Sequence, residues 1–176
     1  SIAEKYKLDL SADVLELLHR ETPKELDNVE MMVMGSVRNL CEAAADACRE
    51  LGYEPMLLTD QLACEAREAG SFLAAIAKSH QDSTKSIAFL AGGETVVHLT
   101  GNGSGGRSQE LALSAAEGIA GLEDTAIFSV GSDGTDGPTD AAGGYVDGGT
   151  KALLQREGVD IYEALQENDA YHALRK

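Results

Sequence analysis

The chain has 176 residues, 43% of them hydrophobic and 25% charged, and 30 acidic against 14 basic side chains leave a formal net charge of −16. That is the make-up of one globular domain able to bury a core without disulfide or metal staples. The acidic excess argues against nucleic acid and anionic membrane as partners, and any anion site has to be built locally against the overall field.

In chain order, Leu8, Leu10, Val14, Leu15 and Leu18 recur at helical spacing and predict a helix within 4–20, ending before Pro23. "VEMMVM" (29–34) reads as a short buried strand. Val37, Leu40, Cys41, Ala44, Cys48 and Leu51 predict a helix stopped by Gly52. "EPMLLT" (54–59) reads as a strand, and Leu62, Ala66, Ala69, Phe72, Leu73 and Ile76 as a helix. "SIAFLAGG" (86–93) and "ETVVHLT" (94–100) read as two strands close enough to form an antiparallel hairpin. A glycine-rich loop follows. Leu111, Ala112, Ala115, Ala116 and Ile119 then predict a helix and "TAIFSV" (125–130) a strand. "GSDGTDGPTDAAGG" (131–144) is a long loop, and Asp160 with Glu163 forms a capping box before a short helix.

Strands alternating with helices predict an α/β fold of three layers, its sheet mostly parallel with one antiparallel hairpin. Cys41, Cys48 and Cys64 form no CxxC pair and read as small hydrophobes in a reducing compartment. With no apolar run long enough to cross a membrane and no signal peptide, the expected location is the cytoplasm. His19, His80, His98 and His172 are scattered, and His98 reads as a packing or surface residue within a strand.

Ligands in parallel α/β folds bind beyond the carboxyl ends of strands, and both glycine-rich loops follow strands. Residues 101–108 spell G-x-x-x-x-G-R-S, a phosphate loop with Arg107 in place of lysine. Residues 101–106 also spell the dinucleotide pattern G-x-G-x-x-G, but the nearest acids, Glu123 and Asp124, precede the following strand rather than end it. Both templates share one mechanism: bare N–H groups and the positive end of a helix dipole face an anion. Arg107 adds a planar fork suited to phosphate or carboxylate. A tight turn with a solvated arginine explains the same residues. In the second loop, Asp133, Asp136 and Asp140 suit a hard cation such as Mg²⁺ or substrate hydroxyls; turns in which Asp caps its own backbone are the structural alternative.

"GGETVVHLTGNGSGGRSQELALSAA" and "GSDGTDGPTDAAGG" together resemble the carboxy-terminal MOFRL-type domain of glycerate 2-kinases. "EKYKL", "ETPK", "GSVRNLCEAAADACRELGY" and "LLTDQLACEAREAG" match the same family in the same order, so the likeness covers 1–176, with the MOFRL-type region at about 86–176. Ser108 stands where asparagine is commoner. The resemblance implies two α/β domains around a cleft, ATP and Mg²⁺ as cofactors, and phosphorylation of D-glycerate at its 2-hydroxyl to give 2-phosphoglycerate. It implies that an amino-terminal domain, absent from this chain and carrying a lysine for nucleotide and substrate, is the partner, and that the chain alone is inactive. On that basis Arg107, Asp133 and Asp136 are the expected catalytic residues. Glu94, Gly103, Gly105, Gly106 and Ser108 are expected to bind substrate or phosphate, and Asp133 and Asp136 to hold the metal. Arg107 is expected to be partly exposed or loosely paired with Asp133 or Asp136, and Glu65 and Arg67 to be structural. Two other readings stay open: an NAD-dependent hydroxypyruvate reductase, a name that some family members also carry, and a non-catalytic small-anion-binding or regulatory module.

Overall fold

A computed structural model describes residues 2–175. The chain divides into two compact units, 1–34 and 35–176.

In the first unit the expected helix is two pieces, α1 (Ile2–Lys5) and α2 (Ala12–His19). Lys7 takes a left-handed backbone, φ 50°, which ends the first piece. Ser11 restarts the second by accepting the amide of Val14. Neither helix buries a residue. Residues 29–34 are not a strand, which corrects the sequence reading. Met31 is 86% exposed and Met34 88%, and no ladder partner is present among the described residues of the unit. A strand needs a neighbour for its N–H and C=O groups, and an apolar run alone does not supply one.

The second unit opens with α3 (Val37–Glu50), capped by Ser36. Then β1 (Glu54–Leu62), α4 (Ala66–Ser79) and β2 (Ile87–Gly93) form a strand–helix–strand crossover. The two strands run parallel, from Glu54 opposite Ile87 to Leu62 opposite Gly93. After Gly93 the chain does not turn back. The Glu94 amide donates to Leu62 O, and Val96 makes a parallel bridge with Glu65, so 94–96 continues in parallel beside 62–66. The antiparallel pair falls elsewhere: β3 (Ala126–Val130) pairs with β4 (Gly143–Asp147) in unbroken register. The fold is mixed α/β, with a parallel sheet and an antiparallel pair, and the described strands form two separate two-stranded sheets.

Helix α5 (Arg107–Gly118) is the centre of the core, buried continuously from Ser108 to Ala116. It packs against α4, β3 and β4, and against the carboxy-terminal helices α6 (Thr150–Arg156), α7 (Ile161–Gln166) and α8 (Ala170–Leu174). Gly70 on α4 lies against Leu111 O and Ser114 of α5, and Gly118 on α5 against Ala74 of α4, so the two helices approach closely. Leu113 is fully buried and supplies about 2–3 kcal/mol of transfer free energy. The last helices keep their expected signal: Asp160 accepts the Glu163 amide at 2.9 Å.

Candidate anion site at the start of α5

The two glycine-rich loops meet at the amino end of α5. Asp136, 3% exposed, reaches from the second loop and accepts the amides of Ser108 (3.0 Å) and Gln109 (2.8 Å), one on each carboxylate oxygen. It thus fills a role that capping side chains and bound anions share. Asp133 accepts the Thr135 amide at 3.2 Å, a turn that closes on itself. Arg107 is partly exposed, and the carboxylate it meets belongs to neither aspartate. Its guanidinium lies 2.9 Å from Glu94 Oε1, because Asp136 is committed to backbone amides and Glu94 leaves the end of β2 beside it. Both partners face solvent, Arg107 at 46% exposure and Glu94 at 75%.

The glycines answer to the chain itself. A side chain on Gly101 would collide with the backbone of Glu167, and one on Gly103 with Asp169 and Glu167 O. Gly103 N–H donates to Glu167 O at 2.7 Å, Ser104 N–H to Asp169 Oδ1 at 2.8 Å, and Tyr171 N–H to Ser104 O at 3.0 Å. The carboxy-terminal segment is strapped along the loop. Three successive amides remain: those of Gly105, Gly106 and Arg107 have no acceptor among the described residues. They lie in the backbone immediately beside the exposed guanidinium.

Sequence reasoning missed what holds the loop. Asn168 Oδ1 accepts the amides of Thr100 (2.7 Å) and Gly101 (2.9 Å). Its Nδ2 donates to His98 O and to Glu110 Oε2, both at 3.1 Å. Glu110, 2% exposed, also receives Arg67 Nε at 3.2 Å, and Arg67 donates again to Leu165 O. Asn168 sits in the left-handed region, φ 53°, just past α7, where Asn168 N–H bonds Leu165 O and Asp169 N–H bonds Ala164 O. That is the helix stop asparagine tolerates best after glycine, so "ENDA" carried a readable signal. Burial pushes the Asp169 carboxyl up, but hydrogen bonds from His172 and from the Ser104 amide outweigh it and hold it below the ordinary carboxylate value.

Both oxygens of Asp136 already accept amides, and no group of three or more His, Cys, Asp or Glu able to hold a metal occurs among the described residues.

The MOFRL family model matches residues 87–176, just over half of the chain. The chain belongs to the MOFRL family. Its relatives include the Thermotoga maritima D-glycerate 2-kinase, 48% identical across 99% of this chain and 43% of that protein. A relative from Agrobacterium vitis, 34% identical across 99% of this chain and 42% of its own length, carries a hydroxypyruvate reductase name. The crystal structure of the Thermotoga maritima glycerate kinase superposes on this MOFRL chain with a TM-score of 0.84, at 48% identity, over 99% of this chain and 43% of that one. The chain therefore spans less than half the length of these relatives. Among the described residues, no helix is long and apolar enough to cross a membrane.

Proposed function

We propose that this chain forms one wall of a glycerate 2-kinase active site, with ATP as phosphoryl donor and D-glycerate as acceptor. The observation that carries the reading is the run of three unpartnered amides, Gly105 to Arg107, beside an exposed guanidinium at the start of a buried helix. Preorganised N–H groups and a guanidinium fork stabilise charge that develops on a carboxylate or a transferring phosphoryl group. In the reaction the 2-hydroxyl oxygen bonds to the γ-phosphorus as its proton passes to a base or to solvent, the bond to the β–γ bridging oxygen breaks, and ADP leaves.

Arg107 holds the anion, and Glu94 keeps the guanidinium oriented until the anion replaces it. Asp136 takes no part in the transfer: it fixes the first turn of α5, and with it the direction of the three amides. Asp133 is exposed, and the oxygen that does not accept the Thr135 amide is the one left to orient a substrate hydroxyl. The residues expected to face it across the cleft belong to the remainder of the protein. Mg²⁺ would neutralise phosphate charge when bound.

The reductase reading is weaker. Gly101 and Gly103, the first two glycines of the dinucleotide pattern, are occupied by Glu167 and Asp169, where a pyrophosphate would have to approach.

The test is steady-state kinetics of the intact protein, following ADP and 2-phosphoglycerate. Arg107→Ala is expected to lower kcat/KM by about a hundredfold or more, a loss of about 3 kcal/mol of transition-state stabilisation. Arg107→Lys keeps the charge but not the fork and is expected to remain strongly impaired. Folding should be unaffected, since the side chain is nearly half exposed. Wild-type kinetics in Arg107→Ala would assign the loop to structure alone.

A further inference from the structure

The loop that offers the three amides has no regular structure of its own, yet one side chain closes it. Asn168 is 6% exposed, and its side-chain amide touches the backbone at His98, Thr100 and Gly101 and the carboxylate of Glu110. Thr100 Oγ1 adds bonds to Gln166 O and Asn168 Oδ1. Glu110 lies three residues after Arg107 on α5, so the same buried carboxylate fixes both the entrance of the loop, through Asn168, and the helix that carries the guanidinium. Arg67, from the first turn of α4, anchors that carboxylate from the other side.

We propose that Asn168 is the positioning residue of the glycine loop, backed by Glu110 and Arg67, and that it sets the loop's affinity for a carboxylate or phosphate; this rests on the anion-binding reading above. Asn168 touches no substrate in this scheme. It holds residues 98–101 at the register from which Gly105, Gly106 and Arg107 present their N–H groups together. An asparagine is suited to the place because one side-chain oxygen serves two adjacent amides while one nitrogen serves two oxygens. A network of this kind, built around the buried Asn168 and Glu110, holds a single arrangement only when every member is partnered.

The experiment compares the intact protein with its Asn168→Gly variant. Glycine keeps the left-handed backbone and removes only the side chain. Hydrogen exchange read by mass spectrometry reports protection over 98–104, and calorimetry with inorganic phosphate and, separately, D-glycerate reports dissociation constant and stoichiometry. The variant is expected to lose about tenfold or more of loop protection and to bind about tenfold more weakly at unchanged stoichiometry. A merely structural role would instead lower the stoichiometry in proportion to unfolded protein and leave the dissociation constant alone. That result, or unchanged protection, overturns the proposal. A wild-type protein that binds neither anion overturns the anion reading at the outset, independently of the exchange data, and the affinity claim with it. If the glycine variant does not fold, Glu110→Gln keeps the size of the side chain but turns one of its two acceptors into a donor, so the bond to Arg67 or to Asn168 is lost. It is expected to weaken binding about threefold at full stoichiometry, and unchanged affinity there counts against the proposal equally.

Discussion

Asp136 carries both of its oxygens to backbone amides at the start of a helix that has no other side-chain cap. A carboxylate there is favoured by the helix dipole and satisfies two donors that burial would otherwise leave orphaned. Asp136→Ala is therefore expected to destabilise the unit by about 2–3 kcal/mol, and Asp136→Asn, which retains one acceptor, by about half as much. Chemical denaturation of the three proteins gives the ordering directly. If Asp136→Ala were as stable as the parent, the carboxylate would have to be assigned to ligand rather than to scaffold. The neighbouring acid differs in kind. Tyr171 donates its hydroxyl to Asp140, and that bond holds the Asp140 carboxyl below its ordinary value. Both residues lie at the surface, so the pair adds little to stability.

Helix α5 was legible from sequence because Leu111, Ala112, Ala115, Ala116 and Ile119 keep a helical period, and all five are buried. Its capping partner was not legible, because Asp136 arrives from 28 residues later. Strand β4 was hidden for another reason. "GGYVD" holds only Val146 as a buried apolar residue and becomes a strand by pairing with β3. The hairpin read at 86–100 was a plausible period assigned to the wrong partner, since strand patterns state a face but not a neighbour. Likewise Arg107 and Glu94 were both named from sequence, yet their mutual contact depended on where β2 ends. At this scale the helix that joins the site to the core can be tested through its largest fully buried side chain. Leu113→Ala is expected to cost about 2–5 kcal/mol, read from the shift in denaturation midpoint at constant slope. A cost under 1 kcal/mol would mean that α5 is not the core's centre.

Across the whole chain the charge of −16 acts on everything the site has to do. Like charges destabilise a compact state at long range, and added salt screens them as the Debye length falls from about 30 Å at 0.01 M to about 8 Å at 0.15 M. Thermal stability is therefore expected to rise between those two ionic strengths, measured by the midpoint in sodium chloride at neutral pH. The short ion pairs respond oppositely, but the exposed ones, such as Arg38–Glu42, contribute little. A midpoint that falls with salt would show that paired charges outweigh the net repulsion.

The strap of 167–171 along the glycine loop also sets an order of events during synthesis. Gly101 finds its acceptor on a residue 67 positions later in the chain. At about 5–20 residues per second, the loop is synthesised on the order of 3–13 s before the asparagine that seats it exists. Until then the motif is present as letters but not as a shape. Nascent chains that end between Arg107 and Asn168 carry every glycine of the loop and the arginine, and still lack the side chain that holds the loop in its final form.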